Sequence, residues 1–499
     1  MRNDASFALL TDLYQLTMAY GYWKLNRADR EAVFHLFFRK SPFAGGYAVV
    51  AGLGPAVEFL EEFQYDESDL RYLATLTGND GAPLFSDGFL SYLGELRLTI
   101  DVDAMPEGTV AFAQQPLVRV RGPILQCQIL ETALLNFINF QTLIATKAAR
   151  ICRATQGEPV LEFGLRRAQG ADGGLTASRA AYIGGCAATS NVLAGKRYGI
   201  PVKGTHAHSW VMSFDDELVA FDSYAQAMPN NCVFLVDTYD TLEGVRNAVE
   251  VGRRLREQEH EMVGIRLDSG DLAHLSIEAR RILDAGGFPE AAIMASNDLD
   301  EHIIESLKMQ GAKIAVWGVG TKLATAYDQP ALGGVYKLGA MKDRDGAWHP
   351  KVKLSEQAAK TTIPGVLQVR RFVQQADDIL AGDMIYDEIS GIDRRAVIVD
   401  MKDANRCKQI PAGTVGEDLL VPVLRGGELV GQYAAGEETI EVAQARAARE
   451  LDRLTPSVRR LMNPHEYPVG LDVGLHDRRD QMIRQVRWEF EESSEGAES

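Results

Sequence analysis

The middle of the chain alternates between two hydrophobic patterns. Short runs rich in apolar and β-branched residues, typical of buried strands, recur there: VLEFGLR (160–166), VKGTHAH (202–208), CVFLVDT (232–238), MVGIRLD (262–268), AIMASND (292–298) and KIAVWGVG (313–320), with GVYKL (334–338) as a further candidate. Segments with helical periodicity separate several of these runs, at 241–258, 276–286 and 300–311. This alternation predicts parallel βαβ units, assembled into a barrel or an open doubly wound sheet.

The two flanks lack this alternation and predict a different architecture. Residues 1–150 combine a helix-like start, a strand-like run (AVFHLFF) and an amphipathic helix at about 131–149. Residues 341–499 begin with a hairpin-like stretch (MKDRDGAWHPKVKL) and continue to a charged helix candidate at 437–454. The acidic end of the chain, EESSEGAES, predicts a disordered tail from about residue 491.

Composition narrows the class of protein. A chain of 499 residues is too long for one simple core and predicts more than one domain. The formal net charge of −17 disfavours non-specific binding to nucleic acid or to anionic membranes. The five cysteines are scattered and form no CxxC, which predicts thiols in a reducing compartment. No apolar run is long enough to span a bilayer, so we expect a cytoplasmic protein without a membrane partner.

Polar residues collect directly after the predicted strands, where the carboxyl ends of parallel strands meet and functional groups gather. They are Arg166 and Arg167; His208 and Ser209; Asp237 and Asp240; Arg266, Asp268, Ser269, Gly270 and Asp271; Ser296, Asn297 and Asp298; and Gly318, Val319, Gly320 and Thr321. Each group also has a plainer interpretation. Asp237 or Asp298 could be a helix N-cap, and 268–271 could be a turn.

Two of these segments could hold a phosphorylated ligand. Asp268 and Asp271 could bind Mg²⁺ beside a phosphate. The GVGT stretch at 318–321 could bring backbone N–H groups against a phosphate, or it could form only a tight turn. The chain contains neither a P-loop nor a dinucleotide-binding fingerprint. Basic residues at strand ends, in so acidic a chain, favour a polyanionic small molecule as the ligand.

The segment GTHAHSWV places His206 and His208 two residues apart, on the same side of a predicted strand. A metal-binding pair is disfavoured because no other histidine lies nearby in the sequence. The residues themselves suggest a hydrogen-bonded structural histidine at one position. At the other they suggest a base or a nucleophile toward a phosphoryl group.

The motifs of this chain, in their order and over nearly its whole length, resemble those of the nicotinate phosphoribosyltransferase family. They are TDLYQLTMA (11–19), FFRKSPFAGGYAVVAGL (37–53), EFGLRRAQG (162–170), TSNVLAG (189–195), GTHAHSWV (204–211), LVDTYDT (235–241), GIRLDSGDL (264–272), ASNDLDE (295–301), GVGTKLATAYDQPALGGVYKL (318–338) and KLSEQAAKTTIPG (353–365). The resemblance implies an α/β fold with an irregular TIM-like barrel at 151–340. An α+β domain would be formed from residues 1–150 and 341–499.

The resemblance also implies a reaction. Nicotinate and 5-phosphoribosyl 1-pyrophosphate (PRPP) would give nicotinate mononucleotide and pyrophosphate, with Mg²⁺ and with ATP as co-substrate, in NAD salvage. The family's transiently phosphorylated histidine corresponds to His208, and Ser209 would lie beside nicotinate. His206 falls outside the family pattern and is expected to be incidental.

The remaining site residues follow from the same resemblance. Phe163 and Tyr14 would stack on the two faces of the pyridine ring, with Tyr14 supplied by the neighbouring subunit of a homodimer. Arg166 and Arg39 would bind PRPP phosphates. The other expected contacts are Arg266 and Asp268 at the ribose or pyrophosphate, Gly318, Gly320 and Thr321 at the 5-phosphate, and Asp268 with Asp271 at Mg²⁺.

Three alternatives differ from this interpretation in a feature of the sequence. Nicotinamide-specific relatives place an acidic residue in the segment that matches TSNVLAG, whereas Thr189, Ser190 and Asn191 offer none, which favours a carboxylate substrate. Quinolinate phosphoribosyltransferases are much shorter chains. A paralogue without catalysis is disfavoured because His208 and Asp268 are both present.

Overall fold

The computed structural model describes residues 7–355, 361–374 and 376–495, with side chains of the last helix described to residue 487. The motif at 353–365 therefore lies partly outside the described residues. The chain divides into two compact units, Met1–Thr142 with Ala331–Ser499, and Leu143–Pro330. The first unit combines an N-terminal and a C-terminal part of the chain, and its boundaries with the second unit lie at 142/143 and 330/331.

The helices and strands are numbered in chain order. The α-helices are α1 (Leu13–Lys24), α2 (Leu53–Glu61), α3 (Glu67–Ala74), α4 (Asp87–Glu95), α5 (Ile124–Ile129), α6 (Glu131–Ala154), α7 (Gly170–Ile183), α8 (Val192–Tyr198), α9 (His208–Met212), α10 (Glu217–Ala227), α11 (Thr241–Glu257), α12 (Leu272–Ala285), α13 (Glu301–Met309), α14 (Thr321–Ala324), α15 (Gly431–Ala434), α16 (Ile440–Asp452) and α17 (Val473–Glu495). The strands are β1 (Glu31–Phe38), β2 (Ala48–Val49), β3 (Asp101–Ala104), β4 (Val110–Ala111), β5 (Val118–Pro123), β6 (Val160–Glu162), β7 (Ala188–Thr189), β8 (Val233–Leu235), β9 (Gly264–Leu267), β10 (Ala292–Ala295), β11 (Val316–Val319), β12 (Gly334–Lys342), β13 (Trp348–Pro350), β14 (Leu367–Gln374), β15 (Ile379–Asp387), β16 (Val397–Val399), β17 (Cys407–Gln409), β18 (Val415–Asp418), β19 (Val421–Arg425), β20 (Glu428–Leu429) and β21 (Val469–Asp472).

The second unit contains a six-stranded parallel sheet in the order β7-β6-β11-β10-β9-β8. Its strands are short and largely buried, as expected of parallel strands covered on both faces. Helices α11, α12 and α13 connect successive strands from β8 to β11, which confirms the predicted βαβ units. Because all six strands run in the same direction, their carboxyl ends share one edge of the sheet.

The predicted strand at 202–208 is wrong. Only Val202 continues the sheet, through an isolated parallel bridge to Thr189, and the chain then leaves the sheet and enters α9 at His208. A strand buried on both faces needs a nearly continuous apolar run, and KGTHAH after Val202 does not supply one. In the described part of the chain, no strand pairing joins the Val202 segment to β8. This interruption of the backbone hydrogen bonding between Val202 and β8 is called the open seam below.

The candidate strand GVYKL belongs to the first unit and not to the parallel sheet. It forms the start of β12, which pairs antiparallel with β1 and also forms the predicted hairpin with β13. The Tyr336 ring stacks on Phe34 of β1 at a centroid distance of 5.0 Å, a cross-strand pair that favours this register. The apolar pattern of a strand does not encode its partner, which is why the sequence could not place GVYKL.

The sheets of the first unit are mostly antiparallel, as in an α+β domain. One has the order β13-β12-β1-β5-β3-β19-β20 and another the order β17-β16-β21-β15-β14-β18, with β15 and β21 as a parallel pair. Strands β2 and β4 form a separate antiparallel pair.

The end of the chain differs from its prediction. Helix α17 continues to Glu495, so residues 491–495 of the predicted disordered tail are helical, and residues 496–499 lie outside the described part of the chain. Glutamate has a high helix propensity, which the acidic composition of this end did not reveal. Within the described residues, none of the helices combines the length and the apolar character that a bilayer crossing requires.

Candidate active site

A pocket of about 350 Å³ opens at the carboxyl-terminal edge of the parallel sheet. It is lined by Phe163, Leu165, Arg166, Ser190, Gly204, Thr205, His206, Ala207, His208, Leu235, Arg266 and Asp268. These residues come from β8 and β9, from the segments that follow β6 and β7, and from the loop that leads into α9. The carboxyl ends of β6, β7, β8 and β9 therefore meet at one pocket.

Arg266 on β9 is the centre of a hydrogen-bond network. Its guanidinium donates to the Ser296 hydroxyl at 2.8 Å, to the Thr205 hydroxyl at 3.1 Å and to the Asp268 carboxylate at 3.0 Å. It also lies 5.7 Å from the centroid of the Phe163 ring, within cation–π range. Four neighbouring groups thus hold the positive charge in one orientation at the pocket wall.

Asp268 is held in its ionised form. Burial by itself raises the pKa of this carboxyl group, but the hydrogen bond from Ser296 and the charge of Arg266 outweigh burial, so the pKa lies below its ordinary value. Oxygen Oδ1 accepts the bonds from Arg266 and Ser296. Oxygen Oδ2 faces His208, with 3.7 Å between Oδ2 and Nε2.

The His208 side chain is half-buried and lies between a hydroxyl group and two carboxylates. Its Nδ1 is 3.1 Å from the Thr238 hydroxyl, and its Nε2 is 3.7 Å from Asp268 and 4.0 Å from Asp237. Carboxylates accept but do not donate, so they favour a proton on Nε2. In that tautomer the Thr238 hydroxyl donates to Nδ1.

Asp237 is not the helix N-cap that its sequence position allowed. The cap of α11 is Asp240, which accepts from the Glu243 backbone N–H. The Asp237 carboxylate is buried, and its Oδ2 accepts from the Asp268 backbone N–H at 2.8 Å and from the Ser269 hydroxyl at 2.6 Å. Its Oδ1 has no hydrogen-bond partner in the described part of the chain and faces His208.

His206 does not share a face with His208. Its ring is buried, and its Nε2 accepts from the Leu235 backbone N–H at 3.2 Å, while Nδ1 lies 3.4 Å from the Ala207 carbonyl oxygen. Burial lowers the pKa of His206 to about 4, so the ring is neutral near pH 7. The expectation of a structural histidine at one of the two positions is met at His206.

The Phe163 ring packs against a glycine on the neighbouring strand β11. A Cβ atom at Gly318 would lie 2.8 Å from the ring, closer than van der Waals contact permits. A Cβ at Gly320 would lie 3.1 Å from the Phe163 carbonyl oxygen. Both glycines of the GVGT stretch therefore allow the close approach of the β6 end to β11, whatever further role their N–H groups have.

The buried carboxylate of Glu162 organises the end of β6, a role that the sequence did not predict. It accepts from the Gly164 backbone N–H and from the hydroxyls of Ser178 at 2.9 Å and Thr189 at 2.6 Å. Asn191 caps α8 and donates to the Ser178 hydroxyl. Thr189 and Asn191 of the TSN motif are thus committed to structure, and Ser190 is the motif residue that lines the pocket.

The other predicted site residues lie in different places. Ser209 is exposed in the first turn of α9, and Thr321 is the first residue of α14. Asp271 caps α12 by accepting from the backbone N–H groups of Ala273 and His274. Tyr14, in α1, and Arg39, directly after β1, belong to the first unit, and their roles stay predictions.

The residues present fit a magnesium ion that is shared with substrate phosphates. No group of three or more histidine, cysteine, aspartate or glutamate residues with metal-binding geometry occurs among the described residues. Mg²⁺ needs no such group, because one or two carboxylates and the phosphates of the substrate usually suffice. Asp268 presents an ionised carboxylate at the pocket, whereas Asp271 uses one oxygen as a helix cap.

Sequence models of one family match most of the chain. The model described as nicotinate phosphoribosyltransferase (NAPRTase) family matches residues 160–380. Those described as the N-terminal and C-terminal domains of nicotinate phosphoribosyltransferase match residues 9–139 and 367–479.

Proteins named nicotinate phosphoribosyltransferase are similar to this chain over nearly its full length. Nicotinate phosphoribosyltransferase of Bacillus subtilis is 44% identical over 99% of this chain and 98% of its own, and the human enzyme is 36% identical over 94% and 96%. The crystal structure of human nicotinic acid phosphoribosyltransferase superposes with a TM-score of 0.81 at 33% identity, covering 94% of this chain and 99% of that one. The chain therefore belongs to the nicotinate phosphoribosyltransferase family.

Proposed function

We propose that this enzyme couples phosphoribosyl transfer to ATP hydrolysis through transient phosphorylation of His208. Its place in the family assigns it the formation of nicotinate mononucleotide from nicotinate and PRPP, a step of NAD salvage. The observation that carries the proposal is the setting of His208 at the pocket, with Asp237 and Asp268 beside one ring nitrogen and Thr238 at the other.

The proposed phosphorylation uses groups that the chain itself supplies. Nδ1, the ring nitrogen that keeps its lone pair, exchanges its hydrogen bond from Thr238 for a bond to the γ-phosphorus of ATP, and the bond from that phosphorus to the ADP oxygen breaks. The two carboxylates stabilise the positive charge that develops on the imidazole. Water later attacks the phosphorus, which releases inorganic phosphate and restores His208.

The base-binding side of the proposal rests on Phe163. Its ring would stack on one face of nicotinate, with Tyr14 of a second subunit on the other, and Ser209 nearby. Stacking fixes an aromatic ring without requiring particular hydrogen bonds. The close packing of Phe163 against Gly318 supports this role, because it leaves the phenylalanine ring little freedom to move.

The PRPP side of the proposal rests on the basic residues. Arg166 and Arg39 would bind phosphates, and Arg266 with Asp268 would hold the ribose or pyrophosphate. The backbone of Gly318, Gly320 and Thr321 would contact the 5-phosphate. Magnesium, held by Asp268 with Asp271 as the second predicted ligand, would neutralise charge on the departing pyrophosphate. Transfer then joins the pyridine nitrogen to C1 of the ribose.

Substrate choice follows from the charges that line the pocket. Two arginines, Arg166 and Arg266, line it, and its one lining carboxylate, Asp268, is paired with Arg266. Ser190, the residue of the TSN motif that lines the pocket, is neutral and offers no carboxylate to accept from an amide NH₂ group. The pocket therefore favours nicotinate, and nicotinamide phosphoribosyl transfer is the alternative.

Three further expectations belong to the same proposal. The continuous parallel order β7-β6-β11-β10-β9-β8 supports an irregular barrel, together with the bridge from β7 to Val202 and the bond from β8 to His206. A homodimer would supply Tyr14 to the neighbouring site. None of the five cysteines, which all lie in the described part of the chain, forms a disulfide bond, and this supports a cytoplasmic location.

The proposal is tested by steady-state formation of the mononucleotide from PRPP with nicotinate or nicotinamide, with and without ATP. We expect nicotinate turnover that ATP stimulates, and loss of that stimulation in His208→Ala. Preference for nicotinamide would move the enzyme to the alternative activity. Stimulation that survives in His208→Ala would contradict the phosphohistidine.

A further inference from the structure

A side chain supplies a hydrogen bond across the open seam of the parallel sheet. Strand β8 is an edge strand, and the Leu235 backbone is buried there with its N–H directed toward the seam. The Nε2 atom of His206 accepts this N–H at 3.2 Å. The imidazole thus takes the place of the carbonyl group that a neighbouring strand would supply.

Two further contacts hold the loop that contains Thr205 and His206 and leads into α9. The Thr205 hydroxyl accepts from Arg266 of β9 at 3.1 Å. The His206 ring lies 4.8 Å from the ring of Tyr224 on α10, with an interplanar angle of 57°. The loop is therefore attached to β8, β9 and α10 directly before it delivers His208.

The spacing along both segments gives the contact between His206 and Leu235 a consequence. His208 lies two residues after His206, and Asp237 and Thr238 lie two and three residues after Leu235. The bond across the seam therefore sets the register between the segment that presents His208 and the segment that presents its partners. Those two segments meet again at the 3.1 Å contact between His208 and Thr238.

We propose that His206 is a positioning residue that aligns His208 with Asp237 and Thr238 through its Nε2 bond to the Leu235 backbone. The resemblance to the family left His206 outside the family pattern and made it incidental. This role rests on the proposed function of His208 and adds a requirement to it, namely that an acceptor must stand at the position of Nε2.

Glutamine and asparagine form a matched pair of variants for testing this proposal. The side-chain oxygen of glutamine can occupy the position of Nε2, whereas that of asparagine reaches only as far as Nδ1. We expect His206→Gln to keep ATP-stimulated nicotinate turnover within about threefold of wild type, and His206→Asn to lose at least tenfold. The melting temperature of His206→Asn should fall by a few degrees, because the buried Leu235 N–H loses its acceptor, but both variants should stay folded at the assay temperature. His302, exposed on α13, supplies the control His302→Asn, which should behave as wild type.

A second readout does not depend on turnover. The rate at which diethyl pyrocarbonate modifies His208, followed by peptide mass spectrometry, reports the surroundings of that imidazole. We expect this rate to change at least threefold in His206→Asn and to stay near wild type in His206→Gln. Equal behaviour of the two variants in both readouts would overturn the proposal. A wild type without nicotinate turnover would instead refute the proposed function, and the modification rates would still decide the role of His206.

Discussion

The Nδ1 atom of His208 lies 3.1 Å from the hydroxyl group of Thr238, while Nε2 of the same ring faces Asp237 and Asp268. The ring therefore has a neutral hydrogen-bond partner on one side and two carboxylates, 3.7 and 4.0 Å away, on the other. This asymmetry sets the tautomer of the imidazole and, with it, the nitrogen that keeps a lone pair.

Removing the Thr238 hydroxyl should weaken ATP coupling. In Thr238→Val the side chain keeps its shape but loses the hydrogen bond that orients the His208 ring before attack. We expect ATP-stimulated kcat to fall about tenfold, the equivalent of one hydrogen bond of roughly 1.4 kcal/mol. Thr238→Ser keeps the hydroxyl and should retain most of the rate. Equal rates in the valine and serine variants would show that the Thr238 hydroxyl does not contribute to ATP coupling.

Gly318→Ala should impair binding of the base. Its Cβ would lie 2.8 Å from the Phe163 ring and displace it, so we expect KM for nicotinate to rise about tenfold with a smaller effect on kcat. Gly173, in α7, has nothing within 4 Å of its Cβ position, and Gly173→Ala is the control with unchanged KM. An unchanged KM in Gly318→Ala would show that Phe163 does not carry the base.

Glu162→Gln should destabilise the fold around the site. The carboxylate accepts from Gly164, Ser178 and Thr189, and an amide would turn donor hydrogens toward one of these donors. Leaving such a buried donor unpaired costs about 1–3 kcal/mol. We expect a lower melting temperature by calorimetry, compared with Glu305→Gln on the exposed side of α13. Equal melting temperatures of the two variants would contradict the organising role of Glu162.

Low pH should destabilise the first unit, because His35 binds a proton more readily in the unfolded chain than in the folded one. This buried ring accepts from the Leu367 backbone N–H at 3.1 Å, and burial lowers its pKa to about 3. The unfolded chain binds the proton near pH 6.5 and the folded one only near pH 3. Stability is therefore complete above about pH 6.5 and declines below it by about 1.4 kcal/mol per pH unit.

The variant His35→Gln keeps an acceptor for Leu367 but does not titrate. Urea unfolding at pH 7, 6 and 5 should show that the free energy of unfolding falls less steeply with decreasing pH in this variant than in wild type. The difference between the two slopes should correspond to the binding of about one proton on unfolding. Parallel declines would show that His35 is accessible to protons in the folded state.

The sequence predicted the elements whose hydrophobic pattern is decided locally. The runs at β6, β8, β9, β10 and β11 are apolar because both faces of those strands are covered, and the amphipathic stripe of α11 is read directly from its spacing. The sequence could not show which strands pair with one another. The pattern of GVYKL is equally compatible with a parallel sheet and with β1, and two-residue β7 is too short to give a pattern.

The site was predictable only as far as strand ends and family motifs point to it. Arg266, Asp268 and His208 come directly after predicted apolar runs or lie in a motif of their own. Glu162 and Thr238 also lie in such runs and motifs, but their roles were not predicted, because those roles depend on which strands become neighbours in space. The Leu235 contact of His206 could not be predicted for the same reason, since it exists only because the sheet is open at that seam.

The central claim is tested most directly by trapping the phosphorylated enzyme. Wild type and His208→Ala are incubated with ATP labelled at the γ-phosphate, quenched in alkali and mapped by peptide mass spectrometry. We expect acid-labile, alkali-stable label on the peptide that contains His208, absent in His208→Ala and discharged when PRPP and nicotinate are added. Label on another residue, or ATP-stimulated turnover without any label on His208, would contradict it.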